Sequence, residues 1–175
     1  MAKFTVTHVI HCNEDTFWKV FFDRDFNTKL FLEYLGFPEF NILDQRETDR
    51  EIVRKISGMP KMDMPGPVLK LLGPSFKYVE EGRLDKATKQ WRFQMTPSVL
   101  QGKLRNEGTM RIEPAGEGRV RRIADIVIEA KIFGVGGLIE SSAEKNMRQG
   151  WDKGAEFMNR WLKEHPAQDA GPPAT

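Results

Sequence analysis

The sequence contains a single cysteine, Cys12, among 175 residues. One thiol excludes an internal disulfide and any zinc or iron–sulfur site built from several cysteines, and it fits a reducing compartment. No apolar run approaches the ~18 residues of a membrane span, and the first residues lack the apolar core of a signal peptide. We therefore expect a soluble, cytoplasmic protein.

The chain also lacks an excess of charge of either sign. It has 27 Lys and Arg against 25 Asp and Glu, a net charge of +2, and the two signs are interspersed. A nucleic-acid-binding protein is expected to carry a basic patch or stripe, so we predict no nucleic-acid partner. A chain of this length is expected to form one domain that buries about 70% of its unfolded surface.

Catalytic and metal-binding motifs are scarce. His8 and His11 point to opposite faces of a predicted strand, so they cannot share a metal, and no carboxylate joins them at His-Glu-x-x-His spacing. The chain has no Gly-x-Ser-x-Gly elbow, and Cys12 has no evident activating base. The glycines of 134–137 match neither a dinucleotide-binding loop nor a Walker motif, which favours a sharp reversal of the chain. We predict no catalytic residue, metal or cofactor.

The N-terminal region predicts one strand and two short helices. Residues 4–11 are rich in β-branched side chains and alternate at period two, which is typical of a strand. Asn13 is a suitable N-cap for a helix over 14–22, with Glu14 and Asp15 in its first turn. We expect Asp25 to cap a second helix that ends at Gly36.

The rest of the chain predicts an antiparallel sheet and one long helix. Residues 37–132 show period-two patterning interrupted by turn signals, which indicates six further strands. Apolar residues at three- and four-residue spacing then continue to Leu162, which predicts an amphipathic helix of about 25 residues. We expect an α+β domain over 1–163, with the last helix across the concave face of a curved seven-stranded sheet. We expect 164–175 to be a disordered tail.

Three passages carry a resemblance to a known superfamily: the strand over 91–95, the Phe-Gly-Val-Gly-Gly-Leu-Ile-Glu passage over 133–140, and the helix over 151–162. With the order of elements, they resemble the START/SRPBCC superfamily and its helix-grip fold over residues 4–162, and most closely an uncharacterised family within it. The resemblance implies a cavity for a lipid, sterol, polyketide or similar molecule between the sheet and the last helix. A minority of that superfamily catalyse cyclisation or dehydration in the cavity, so the resemblance also implies an enzymatic alternative.

The side chains predicted to face this cavity are mainly apolar, as in most ligand pockets. Their alternative role is to fill a solid core. The candidates from the strands are Ile52, Ile56, Phe76, Tyr78, Trp91, Phe93, Met95, Leu104, Met110, Ile126 and Ile128, and those from the helix are Met147 and Trp151.

Three polar residues, Arg54, Glu80 and Asn106, share the phase of these inward positions. A lone buried charge costs several kcal/mol, so Arg54 and Glu80 are expected to pair, to contact a ligand, or to be turned outward by a bulge. If they face inward, Arg54 is the natural partner of a carboxylate and Tyr78 is a neutral donor or acceptor. This arrangement would favour an acidic amphipathic ligand.

Residues 59–72 form an unusually long connection with three Met and three Pro. Met59, Met62, Met64 and Leu69 suit a mobile lid, or a lip that makes transient contact with a membrane. The alternative is a loop packed onto the core.

We therefore favour a carrier or sensor of a hydrophobic or amphipathic small molecule over an enzyme. One alternative is a polyketide cyclase or aromatase using Arg54, Glu80 or Tyr78 as acid–base groups, which a strongly shifted pKa in the cavity would support. Another is a protein-interaction module that docks through residues 59–72 and has a solid interior. The residue pattern carries no signal for the number of subunits.

Overall fold

Seven antiparallel strands form one sheet in a computed structural model that describes residues 1–166. In chain order they are β1 (Ala2–Ile10), β2 (Glu39–Glu47), β3 (Glu51–Met59), β4 (Tyr78–Asp85), β5 (Gln90–Pro97), β6 (Leu104–Pro114) and β7 (Val120–Ala130). Their order across the sheet is β1-β7-β6-β5-β4-β3-β2. The helices are α1 (Glu14–Phe21), α2 (Arg24–Lys29), α3 (Gly66–Leu72) and α4 (Gly136–Glu164), with a π-helical turn at Leu30–Tyr34.

The α+β helix-grip architecture expected from the sequence is therefore confirmed. The long helix α4 has 29 residues and packs against β1 and β7. Its buried residues include Ile139, Ala155, Met158 and Leu162, which all belong to the predicted apolar stripe. The predicted tail lies mostly outside the described residues.

The caps of the two short helices follow local chemistry. Asn13 caps α1, because its side-chain oxygen accepts a hydrogen bond from the Thr16 amide at 2.8 Å. The prediction that Asp25 caps the second helix is wrong. Asp23 caps α2, since its carboxylate reaches the Phe26 amide at 2.7 Å, and Asp25 lies in the first turn.

Two glycines allow the sheet to curl around its aromatic residues. A Cβ on Gly82 would lie 1.9 Å from the Trp91 ring, and one on Gly108 would lie 2.7 Å from the Phe93 ring. The rings therefore lie directly over glycine backbone of neighbouring strands, where no other residue leaves room. This packing helps to form the concave face that α4 covers.

The 59–72 connection is more ordered than the sequence pattern indicated. Part of the connection forms the helix α3, and Met59 is the last residue of β3 rather than part of the loop. Val68 and Leu72 of α3 are buried against Ile139 of α4 and Ala130 of β7. Pro65 precedes the helix with extended backbone, which explains why it begins at Gly66.

Candidate functional site

A cavity of about 370 Å³ lies between the concave face of the sheet and α4. Most of the predicted ligand-binding residues line it, namely Arg54, Phe76, Tyr78, Glu80, Trp91, Phe93, Met95, Asn106, Met147 and Trp151. Of the other predicted wall residues, Leu104 and Ile128 also line it. The interior is therefore not packed solid. The protein-interaction alternative required a solid interior, so this finding disagrees with it.

Met110 is a correction to the predicted wall. It is 1% exposed and belongs to the buried core, but it does not line the cavity. Its register partners are Trp91 on β5 and Ala124 on β7, and the large Trp91 side chain occupies the space beside it. Ile52, Ile56 and Ile126 likewise lie outside the lining.

The N-terminal helices contribute a wall that the strand pattern did not predict. Phe21, Phe26, Leu30, Phe31 and Phe37 all line the cavity. Their positions depend on how α1, α2 and the π-helical turn dock against the sheet. Helical periodicity marks such residues as apolar, but it does not show which cavity they reach.

The predicted lid residues divide into two groups. Met62 and Met64 line the cavity, whereas Met59 does not and Leu69 is exposed on α3. The segment that carries the two lining methionines is tied to α4 by Asn146. The Asn146 side chain accepts from the Asp63 amide at 3.4 Å and donates to the Asp63 carbonyl at 2.8 Å.

Arg54 faces the cavity and is 6% exposed. A bulge does not turn it outward, since the register shift between β2 and β3 falls at Ile42 and Asp44. One terminal nitrogen of Arg54 donates to the Phe21 carbonyl at 2.8 Å, and the guanidinium lies 4.6 Å from the Phe21 ring centroid. Its Nε is buried without a hydrogen-bond partner.

Glu80 faces the same cavity but forms no ion pair with Arg54. Burial raises the pKa of Glu80, and the Arg54 charge opposes this rise only in part. Burial also lowers the pKa of Arg54, with the Glu80 charge opposing. Arg54 therefore faces the cavity without a carboxylate in direct contact among residues 1–166.

Two neutral groups complete this end of the site. Burial raises the pKa of Tyr78, and the nearby Glu80 charge raises it further, so its hydroxyl stays protonated. The Asn106 side-chain nitrogen donates to the Met147 sulfur at 3.2 Å, whereas its Oδ1 is buried without a partner. Both side chains therefore have hydrogen-bonding capacity to offer a polar group in the cavity.

A second buried arginine, Arg122, was not among the predicted site residues. It is 5% exposed, lies on β7 and lines the cavity. The signal was present in the sequence, because counting back by two from the inward Ala124 reaches Arg122. Its register partner on β1 is His8, and an Arg122 terminal nitrogen lies 3.1 Å from His8 Nδ1.

His8 links Arg122 to the surface. Its Nε2 lies 2.6 Å from a carboxylate oxygen of Asp152, and Nδ1 accepts from Arg122, which sets the neutral tautomer with the proton on Nε2. Burial lowers the pKa of His8, the hydrogen bond to Asp152 opposes this, and the Arg122 charge lowers the pKa further. Burial lowers the pKa of Arg122 to about 10.

Two further properties concern residues 1–166 only. In this part of the chain, no cluster of three or more His, Cys, Asp or Glu side chains has the arrangement to hold a metal ion. Among the same residues, no helix combines the length and apolar character needed to cross a membrane.

A family model described as "Protein of unknown function (DUF2505)" matches residues 5–162. No curated protein matches the chain in sequence. Among solved structures, a protein from Thermus thermophilus, TTHA0849, is similar, with a TM-score of 0.63, 17% identity, and coverage of 93% of this chain and 98% of that one. The Zhui aromatase/cyclase from Streptomyces sp. R1128 has a TM-score of 0.59, 14% identity, and coverage of 97% and 98%.

A START superfamily protein from Mycobacterium smegmatis has a TM-score of 0.55 and 12% identity, with coverage of 93% of this chain and 97% of that one. At these identities the likenesses concern the fold alone. They agree with the helix-grip architecture of the START/SRPBCC type that the sequence resembled.

Proposed function

The chain belongs to the DUF2505 family, and from that premise we propose that it binds a small acidic amphipathic molecule between the sheet and α4. It would act as a carrier or sensor of that molecule. The observation that carries this proposal is Arg54, a buried guanidinium that faces an apolar cavity and has no carboxylate of residues 1–166 ion-paired to it. The likeness to START and aromatase/cyclase structures supports a ligand cavity of this kind.

The energetics favour an anionic ligand. A buried charge without a partner costs several kcal/mol, and a carboxylate beside Arg54 would remove most of that cost. The free Nε and the planar guanidinium suit two parallel hydrogen bonds to one carboxylate. The aromatic walls would enclose the apolar part of the same molecule.

The volume limits the size of the ligand. About 370 Å³ lies near the lower end of the roughly 300–1,000 Å³ that ligand pockets span. At ~30 Å³ per liquid water, this equals the volume of about a dozen water molecules. A medium-chain fatty acid or a bicyclic aromatic acid fits that space, whereas a sterol or a two-chain lipid would require the cavity to enlarge.

We propose that the segment carrying Met62 and Met64 is the lid. It covers the cavity and is held to α4 by Asn146. The exposed Leu69 and Leu71 of α3 would serve the transient membrane contact considered from the sequence. A cytoplasmic location also stays a prediction.

Native mass spectrometry of protein purified from its own host tests the binding function. We expect one small acid per chain, released and identified after denaturing extraction. An Arg54→Met variant should lose it, and a Lys55→Met variant should retain it, since Lys55 is exposed on the same strand. Protein that is repeatedly empty, and that binds neither fatty acids nor aromatic acids, would contradict the proposal.

A second candidate is a cyclase or aromatase activity, favoured by the raised pKa values of Glu80 and Tyr78 in one cavity. Both groups would serve as neutral proton donors to a bound polyketide. Incubation with a poly-β-keto thioester should then yield a cyclised product faster with the native protein than with a Glu80→Gln variant. Equal rates for both proteins, matching the spontaneous reaction, would exclude this activity.

A further inference from the structure

We propose that Arg122 forms a second anion-binding subsite in the same cavity, and that the ligand carries an acidic group at each end of an apolar body. This inference rests on the proposed function, with Arg54 binding the first acidic group. It narrows the substrate class from small acids in general to elongated dicarboxylates and molecules of the same polarity.

The surroundings of Arg122 hold its guanidinium in a fixed position. One terminal nitrogen lies 3.1 Å from His8 Nδ1 and donates to the Trp151 carbonyl at 2.8 Å. The guanidinium carbon lies 4.7 Å from the centroid of the Trp151 ring. A cation held in this way loses little conformational freedom when it binds an anion.

Arg122 nevertheless has unused binding capacity. Its Nε is buried without a partner, and no carboxylate forms an ion pair with it in the part of the chain that the structure describes. Asp152 contacts His8 instead, and the Asp152 side chain is 64% exposed. The buried Arg122 charge therefore has no carboxylate in direct contact, and Asp152 acts on it from beyond His8, as Glu80 acts on Arg54 at longer range.

Space is available beside Arg122. Gly150 and Gly154 of α4 line the cavity, and glycine costs about 1 kcal/mol relative to alanine inside a helix. An added Cβ on Gly154 would lie 4.0 Å from a terminal nitrogen of Arg122, so a side chain at this position would extend toward the guanidinium. The two glycines thus leave open space beside the Arg122 guanidinium.

The strand register separates the two arginines. Arg54 on β3 is aligned through Gly82, Phe93 and Gly108 with Ile126 on β7, and Arg122 lies further along β7. At ~4.8 Å per strand, the four steps from β3 to β7 span roughly 19 Å along the curved sheet. The two arginines therefore extend from different strands and different rows of one concave face.

Aromatic rings that line the cavity lie beside both charges. Arg54 lies 5.2 Å from the Trp91 ring, and the Phe93 and Trp151 ring centroids are 6.2 Å apart. Ile128 and Met147 add further apolar surface to the lining. An apolar body with an anion at each end matches that arrangement.

Calorimetric titration with two matched pairs of probes tests the inference. The pairs are decanoate with decanedioate, and naphthoate with naphthalene dicarboxylate. We expect at least one dicarboxylate to bind the wild-type protein about tenfold more tightly than its monocarboxylate, because a hydrogen-bonded charge pair is gained. An Arg122→Met variant should lose this advantage while still binding the monocarboxylate, and an Arg54→Met variant should weaken all four probes.

Arg121→Met is the matched control, since Arg121 is the exposed neighbour of Arg122 on β7. If Arg122→Met does not fold, a measurement on the wild-type protein replaces it. In the NMR spectrum of the arginine Nε–H groups, the dicarboxylate should then shift the signals of both Arg54 and Arg122. The monocarboxylate should shift only one of them.

The outcomes separate the inference from the function on which it rests. Tight binding of monocarboxylates with no gain for either dicarboxylate would overturn the second subsite and leave the proposed function intact. A dicarboxylate advantage that survives in Arg122→Met would also overturn it. Failure of every probe to bind would contradict the proposed function itself.

Discussion

Arg54 and Glu80 lie on the neighbouring strands β3 and β4 and face one cavity, yet they form no ion pair. Opposite charges brought together inside a protein are expected to contact each other closely, because each one compensates the desolvation of the other. We propose that this arrangement leaves room between the sheet and α4 for a ligand group that contacts Arg54. On that proposal, the Arg54 charge serves binding rather than stability.

Replacing Arg54 should therefore not reduce the stability of the empty protein. Arg54→Met removes a desolvated charge and keeps apolar volume, so we expect unfolding free energy to be unchanged or to rise by ~1–3 kcal/mol. The lost charge-assisted hydrogen bond to the Phe21 carbonyl, worth about 1.5–3 kcal/mol, and the lost contacts with the Phe21 and Trp91 rings offset most of this gain. Urea denaturation measures the difference. A loss of several kcal/mol would show that Arg54 is structural.

Glu80 should make stability depend on pH. Its pKa is raised in the folded state, so the folded protein binds the proton more tightly than the unfolded chain does. Its contribution is fully present below the unfolded pKa and is lost as pH rises through the raised folded pKa. Glu80→Gln should remove this pH dependence. At pH values above the folded pKa of Glu80, the Tm of the variant should exceed that of the wild type.

Thermal melts of wild type and Glu80→Gln across the acidic to neutral range measure the effect. Glu81→Gln is the control, because Glu81 is exposed on the opposite face of β4. Arg54 is the titratable group whose charge lowers the pKa of Glu80, and the Glu80 charge in turn raises the pKa of Tyr78. If the Tm of Glu80→Gln and that of the wild type changed with pH in the same way, the raised pKa of Glu80 would be contradicted.

Gly82 should be intolerant of any side chain. A Cβ there would lie 1.9 Å from the Trp91 ring, so Gly82→Ala must displace an aromatic residue that borders the cavity. We expect a loss of at least ~1–3 kcal/mol, as for other overpacked cores. Gly137→Ala serves as the control, since no atom lies within 4 Å of its added Cβ. Equal stability of the two variants would contradict the packing described here.

Asn146 should control the opening of the lid segment. Asn146→Ala removes both hydrogen bonds to the Asp63 backbone, so we expect faster amide hydrogen exchange over residues 60–64 and faster ligand dissociation. Asp63→Ala is the matched control, because the hydrogen bonds to Asn146 involve only the Asp63 backbone. Unchanged exchange in Asn146→Ala would show that the segment is held by packing alone.

Period-two counting predicted much of the sheet and of the site. It correctly placed Arg54 and Glu80 inward, because strand side chains alternate strictly unless a bulge intervenes. Applied further along β7, the same counting would have included Arg122. The three- and four-residue spacing of apolar residues predicted the long helix that lies across the concave face.

Other parts of the site depend on tertiary packing. Met110 has the correct phase for the cavity, but the neighbouring Trp91 encloses it in the core. Phe31 and Phe37 reach the cavity only through the docking of the N-terminal helices. The cap at Asp23 was missed because two aspartates lie two residues apart, and local preference alone does not choose between them.

A comparison of decanoate with decanol on the wild-type and Arg54→Met proteins tests the central claim most directly. The two molecules have the same apolar chain and differ in the charge that Arg54 is proposed to bind. We predict calorimetric one-to-one binding of decanoate to the wild type, at least tenfold tighter than decanol, and loss of this preference in Arg54→Met. Equal affinity of the wild type for both molecules, or a decanoate preference that survives in Arg54→Met, would contradict the account.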